Sequence, residues 1–139
     1  MKSWFANCSW CAFGLAAMLS PAEVTVEVMS PTTGKQLSFK IVNNDIKSVD
    51  TATGALSMKD CYTTFCVPLL QWWTDVHFAC SNIQMCTSRA EAENYYQRHG
   101  FHKGEVMDLN TLWELSKVKC DRTEQCLWKL TEIEGMVSR

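Results

Sequence analysis

Glu23-Val24-Thr25-Val26-Glu27-Val28-Met29 and Gln36-Leu37-Ser38-Phe39-Lys40-Ile41-Val42, separated by Ser30-Pro31-Thr32-Thr33-Gly34, decide the fold. Both runs alternate apolar with polar residues and are rich in β-branched side chains, the period-2 signature of a half-buried strand. The Pro and Gly between them are turn residues, so the pair predicts an antiparallel hairpin. Working outward, Asn43-Asn44-Asp45 predicts a second turn, residues 46–49 a short strand, and Thr53-Gly54 another turn. Residues 61–73 are apolar and aromatic and fit a strand or a helix equally well. Residues 75–80 read as a buried strand. Ser88-Arg89-Ala90-Glu91 has the form of a capping box, with the Ser hydroxyl capping the turn and Glu91 reaching back. It opens a helix that runs to His99 and is closed by Gly100. Asp108 caps a further helix, over 108–117, with Leu109, Leu112, Trp113 and Leu115 on one face. A last helix is expected over 123–134. Strands first and helices later give an α+β fold, mostly antiparallel sheet with packed helices. The length of 139 residues predicts a single domain over 1–139.

Upstream of the hairpin the chain admits two readings. Residues 11–18 form an apolar stretch stopped by Pro21, which suits a mature helix. Met1-Lys2 before that stretch also suits a weak secretory signal over 1–22, although Leu19-Ser20-Pro21-Ala22 lacks a small-x-small cleavage site. The first reading places the protein in the cytoplasm and the second outside the cell.

Thirteen basic against fifteen acidic residues leave a net charge of −2. A phosphate-backbone binder needs a basic stripe, so nucleic acid is not an expected partner. Hydrophobic residues make up 47% and charged ones 20%, which excludes a disordered chain. No apolar run reaches the roughly 18 residues of a membrane span.

Eight cysteines are the unusual feature. They fall into sequence-local pairs: Cys8/Cys11, Cys61/Cys66, Cys80/Cys86 and Cys120/Cys126. Buried thiols packed as small hydrophobes would account for them, and so would disulfides. A zinc site has little support, because one C-x-x-C has no second C-x-x-C or His pair at ribbon spacing. His99 and His102 are split by Gly100 and read as surface residues. Cys11 stands apart. It opens an apolar helix, where unpaired amides and the helix dipole favour thiolate, so it is expected to be the most reactive thiol. Cys8, three residues upstream, offers a second sulfur for dithiol redox chemistry or soft-metal capture.

Trp10-Cys11-Ala12-Phe13-Gly14 resembles the Trp-Cys-Ala-Leu-Asp motif that opens a helix in the core domain of alkylmercury lyases. The likeness continues through residues 24–28, Thr33-Gly34 and residues 37–41. It extends through Asn44-Asp45-Ile46-Lys47-Ser48-Val49 and through Val76-His77-Phe78-Ala79-Cys80-Ser81, which is similar to the family's Val-His-Phe-Phe-Ala-Ser. It spans about residues 8–117, and nothing here resembles the family's N-terminal helical region.

The resemblance implies protonolysis of a carbon–mercury bond by two cysteines and one aspartate. It needs no cofactor, a small organometallic compound is the partner, and Hg(II) enters as substrate or leaves as product. Cys11 matches the first cysteine. The aspartate position is Gly14, and the second cysteine falls near Trp73 or Thr74, neither a thiol. Cys8, Cys66 or Cys80 are then the candidates for further sulfur ligands beside Cys11, and Asp75 or His77 for the proton. On a strand, Asp75 and His77 would share one face with Cys80 on the other. Three classes follow: a lyase with relocated catalytic groups, a module that binds a thiophilic metal through Cys11 and a neighbour without turnover, and a disulfide-stabilised or redox domain.

Overall fold

The alternation of the opening hairpin is realised as strands β1 (Val24–Met29) and β2 (Gln36–Val42), paired antiparallel with Val26 opposite Phe39. The structure, a computed structural model, describes residues 2–67, 71–72, 74–101 and 104–121. The expected helix over 123–134, Cys126 and His102 lie outside these residues, as does the side chain of Cys120.

Asn43 and Asn44 join β2 to β3 (Asp45–Thr51), both with positive φ (51° and 61°). That is the two-residue turn whose twist matches a hairpin, and Asn tolerates the left-handed region better than most residues. β4 (Gly54–Leu56) completes a four-stranded meander in the order β1-β2-β3-β4. The β2–β3 register shifts between Lys40 and Ile41. This bulge breaks the alternation of β3, so that Ile46 and Val49, three residues apart, both reach the core.

Helix α1 (Ser9–Met18) packs on β1, and its Phe13 is fully buried edge-on to Phe39 at 5.2 Å between ring centroids. Helix α4 (Leu109–Asp121) lies against α1 and brings Trp113 to Phe13 at 6.3 Å. The main core is thus α1 and α4 on one face of the meander, with Leu37, Phe39, Ile41 and Val49 supplied by the sheet. Residues 9–18 are part of this core. Asp108 caps α4 as expected, its carboxylate accepting from the Thr111 amide at 2.7 Å. Leu109, Leu112 and Trp113 are buried, but Leu115 is exposed and Ser116 takes the inner position, because 109, 112, 113 and 116 share the helical face.

A second, three-stranded sheet has the order β6-β5-β7, built from β5 (Tyr62–Phe65), β6 (Met85–Cys86) and β7 (Glu105–Asp108). The ambiguous segment 61–73 therefore contributes a strand. Helix α3 (Arg89–Arg98) packs on this sheet. Ser88 caps it, accepting from the Glu91 amide at 3.0 Å. The other half of the capping box is altered: the Glu91 carboxylate accepts from the Thr87 amide and hydroxyl and from Ser30 Oγ, tying α3 to the β1–β2 turn. At the far end Gly100 (φ 72°) lets Phe101 donate back to the Tyr96 carbonyl, so the helix stops where predicted.

One expectation is overturned. Residues 75–80 are not a strand but the start of helix α2 (Val76–Ser81). Asp75 is its N-cap, with Oδ1 accepting from the Phe78 amide at 2.9 Å. A short apolar run has no period long enough to separate a strand from a helix, and the Asp cap decides it here.

Candidate metal centre

Cys8 ends the extended N-terminal segment at φ −156° and is the N-cap of α1. Its sulfur accepts from the Cys11 amide at 3.3 Å, the position a Ser or Asp oxygen usually fills. Cys11 is therefore the third residue inside the helix rather than its first, and its side chain turns back over the same turn. The Cys8 thiol donates to Cys11 Sγ at 3.1 Å. Cys80 comes from the last turn of α2, with its neighbour Ala79 also buried. The three sulfurs lie within 4.8 Å of one another. Cys11 and Cys80 are buried and Cys8 is half-buried.

Hydrogen bonds to Cys11 and then Cys80, reinforced by burial, push the Cys8 thiol well above the ordinary range. Each of these favours the neutral S–H over an anion next to other sulfurs. The metal-free cluster thus keeps a proton on Cys8, and a metal ion binding there must displace it.

The helical conformation of residues 76–81 sets the geometry of the other candidates. Asp75 is exposed and its carboxylate is occupied by the helix cap. His77 is exposed on α2, three residues before Cys80. Residues three apart on a helix are surface neighbours, so His77 and Cys80 share a side of α2 rather than facing apart as a strand would require.

Cys66 does not join the cluster. It packs with Tyr95 and Tyr96 in a second buried group. Burial pushes its thiol up to about 12, against a smaller opposing pull from the Thr64 hydroxyl. Cys86 is also pushed up to about 12, by burial and then by the charges of Glu91 and Cys66. Among the described residues six cysteines are free thiols, so no disulfide forms there. Gly14 is buried in α1, and a Cβ built on it would meet nothing within 4 Å.

A feature missed in the sequence flanks the thiols. Trp10, between Cys8 and Cys11, packs edge-on to Trp72 at 5.2 Å and to Phe65 at 5.9 Å. Trp72 is fixed by its indole N–H donating to the Val67 carbonyl at 2.7 Å. The only signal was the aromatic content of residues 61–73, whose partner across the fold no local pattern reveals.

The alkylmercury lyase family model matches residues 1–119. This chain belongs to the alkylmercury lyase family. Among solved structures, the mercury-bound form of MerB2 is similar in fold, with a TM-score of 0.61 at 19% identity. The match covers 89% of this chain and 54% of MerB2, so the chain spans about half the length of that relative. A comparison with curated protein sequences gives no match. The α+β fold expected from the strand and helix motifs is shared with that structure, with residues 76–81 as a helix in place of the expected strand. Among the described residues no helix is long and apolar enough to cross a membrane.

Proposed function

We propose that this alkylmercury-lyase-family chain binds an organomercurial, or another soft metal, through Cys11, Cys80 and Cys8, and cleaves the carbon–mercury bond slowly. The observation that carries the reading is the convergence of three sulfurs from two helices within 4.8 Å. Soft Hg(II) prefers thiolates over oxygen ligands. An organomercury cation exchanges its outgoing ligand for Cys11 and Cys80 and releases their protons. Sulfur coordination raises the electron density on the metal-bound carbon. When that carbon receives a proton, the carbon–mercury electron pair becomes the new C–H bond, the hydrocarbon leaves, and Hg(II) stays on sulfur.

The slow step is proton delivery. Gly14 holds no acid, and the Asp75 carboxylate already serves as a helix cap. His77, beside Cys80 on α2, is the proposed donor at the rim of the site. A positioned general acid is worth about 10²–10⁴-fold, so without one in the helix the site binds better than it turns over. The free thiols of the described cysteines support a reducing, cytoplasmic setting. No cofactor is needed for this chemistry. We further place the whole of 1–139 in one domain.

The test is to incubate the reduced protein with methylmercury and excess thiol, then measure bound mercury, released Hg(II) and methane. Stoichiometric binding with slow methane release is expected. Cys11→Ser should abolish both, because a hydroxyl is a hard ligand that a soft metal ignores. Metal binding that survives Cys11→Ser would show the site to be elsewhere. A wild-type protein that holds methylmercury without ever releasing methane would leave the binding module and remove the lyase.

A further inference from the structure

The cluster holds three sulfurs, one more than the proposed cleavage step draws on. The third, Cys8, is not incidental: it caps α1, takes the Cys11 amide, and donates its S–H to Cys11 at 3.1 Å. No carboxylate or imidazole completes the group among the described residues, so its donor set is sulfur alone. Two sulfurs come from one turn of α1 and the third from the end of α2, and all three lie within 4.8 Å of one another.

The charge balance narrows the ligand further. Three thiolates around Hg(II) leave one net negative charge in a buried site, and burying an unpaired charge is costly. A trivalent ion that takes three thiolates leaves none. We propose that Cys8, Cys11 and Cys80 form a three-sulfur site for trivalent arsenic, taken up from arsenite. The inference rests on the reading that this cluster is the metal site.

The exchange balances without any oxidant or reductant. Neutral arsenous acid, As(OH)₃, meets three neutral thiols. Three As–O bonds break and three As–S bonds form. Each S–H proton leaves on a departing hydroxyl as water, and arsenic stays trivalent. Charge is zero before and after. Trivalent arsenic carries a lone pair and takes three donors, the number that the two helices bring within 4.8 Å of one another.

The experiment uses the reduced full chain with sodium arsenite and, in parallel, methylmercury. Native mass spectrometry should show one arsenic gained and three hydrogens lost. Arsenic-edge X-ray absorption should show three sulfurs and no oxygen in the first coordination sphere. Cys8→Ser removes the chelating third arm and should weaken arsenite binding by about 10²-fold or more. Methylmercury binding by the wild type, measured in parallel, reports separately on the functional reading. Cys61→Ala, outside the cluster, should leave arsenite binding in place.

An arsenic shell of two sulfurs and an oxygen, or wild-type arsenite affinity in Cys8→Ser, overturns the inference while methylmercury binding keeps the functional reading intact. Failure of the wild type to bind either probe overturns both. If Cys8→Ser fails to fold, the sulfur count on the wild type decides alone.

Discussion

Gly14→Asp is the substitution that most directly tests the proposed limit on proton supply. Gly14 lies three residues beyond Cys11 in α1, on the same helical side by i, i+3 geometry. It is buried, yet a Cβ there would meet nothing within 4 Å, so a side chain can begin without displacing the core. The helix itself gains slightly, since Gly costs about 0.8–1.0 kcal/mol relative to Ala in a helix interior and Asp somewhat less. A carboxyl in this buried place beside sulfur is favoured in its protonated form, which is the form that donates.

The expected gain is that of a positioned general acid, about 10²–10⁴-fold, or about 3–5 kcal/mol off the barrier. The assay is single-turnover methane release from methylmercury bound to the protein, which separates cleavage from product release. Gly14→Asn carries the same shape without the proton and should stay within about threefold of wild type. Gly14→Ala should raise the melting temperature and leave the rate unchanged. Equal acceleration by Asp and Asn would refute the reasoning, because shape and not acidity would then be acting. So would an unchanged rate in Gly14→Asp with methylmercury still bound.

Other measurements follow from the same structure. Cys66 and Cys86, pushed up to about 12 by burial, should resist iodoacetamide at pH 8 in the folded protein and label only after unfolding, as peptide mapping will show. Because these thiols keep their protons to higher pH when folded than when unfolded, the unfolded state gains by ionising above pH 9. Stability should therefore fall between pH 9 and 12, and thermal melts across that window should show less of a fall in Cys66→Ala. Burial pushes the Glu91 carboxyl up, but hydrogen bonds from Ser30 and Thr87 outweigh it and hold the group below its ordinary value. Its contribution is present above pH 4.5 and lost as the pH falls through the lowered folded value. Glu91→Ala should cost about 1–3 kcal/mol in urea melts at pH 7, since it releases α3 from the β1–β2 turn.

Local chemistry made much of this protein legible in its sequence. The β1–β2 hairpin shows in its alternation, α3 in Ser88 and Gly100, α4 in Asp108, and the family in the run from Trp10 to Gly14. Each is a signal written within a few residues, because caps, turns and periodicity act over that range. The absence of an acid at Gly14 was equally plain. Residues 75–80 read as a strand because six residues, Asp75 and His77 among them, are too few to carry a decisive period. With that misreading, His77 and Cys80 were put on opposite faces.

The sequence by itself determined the α+β class and the pairing of Cys8 with Cys11. Cys8 and Cys11 needed no tertiary structure to meet, since one helical turn brings them together. Only the tertiary structure decided the third sulfur. Cys66 and Cys80 were equal candidates along the chain, and no local rule separates two buried thiols. Packing placed Cys66 among Tyr95 and Tyr96, while the turn of α2 delivered Cys80 to Cys8 and Cys11. A contact between residues some seventy positions apart depends on how helices and sheets stack over a shared core, and that information is held by the whole chain rather than by any segment of it.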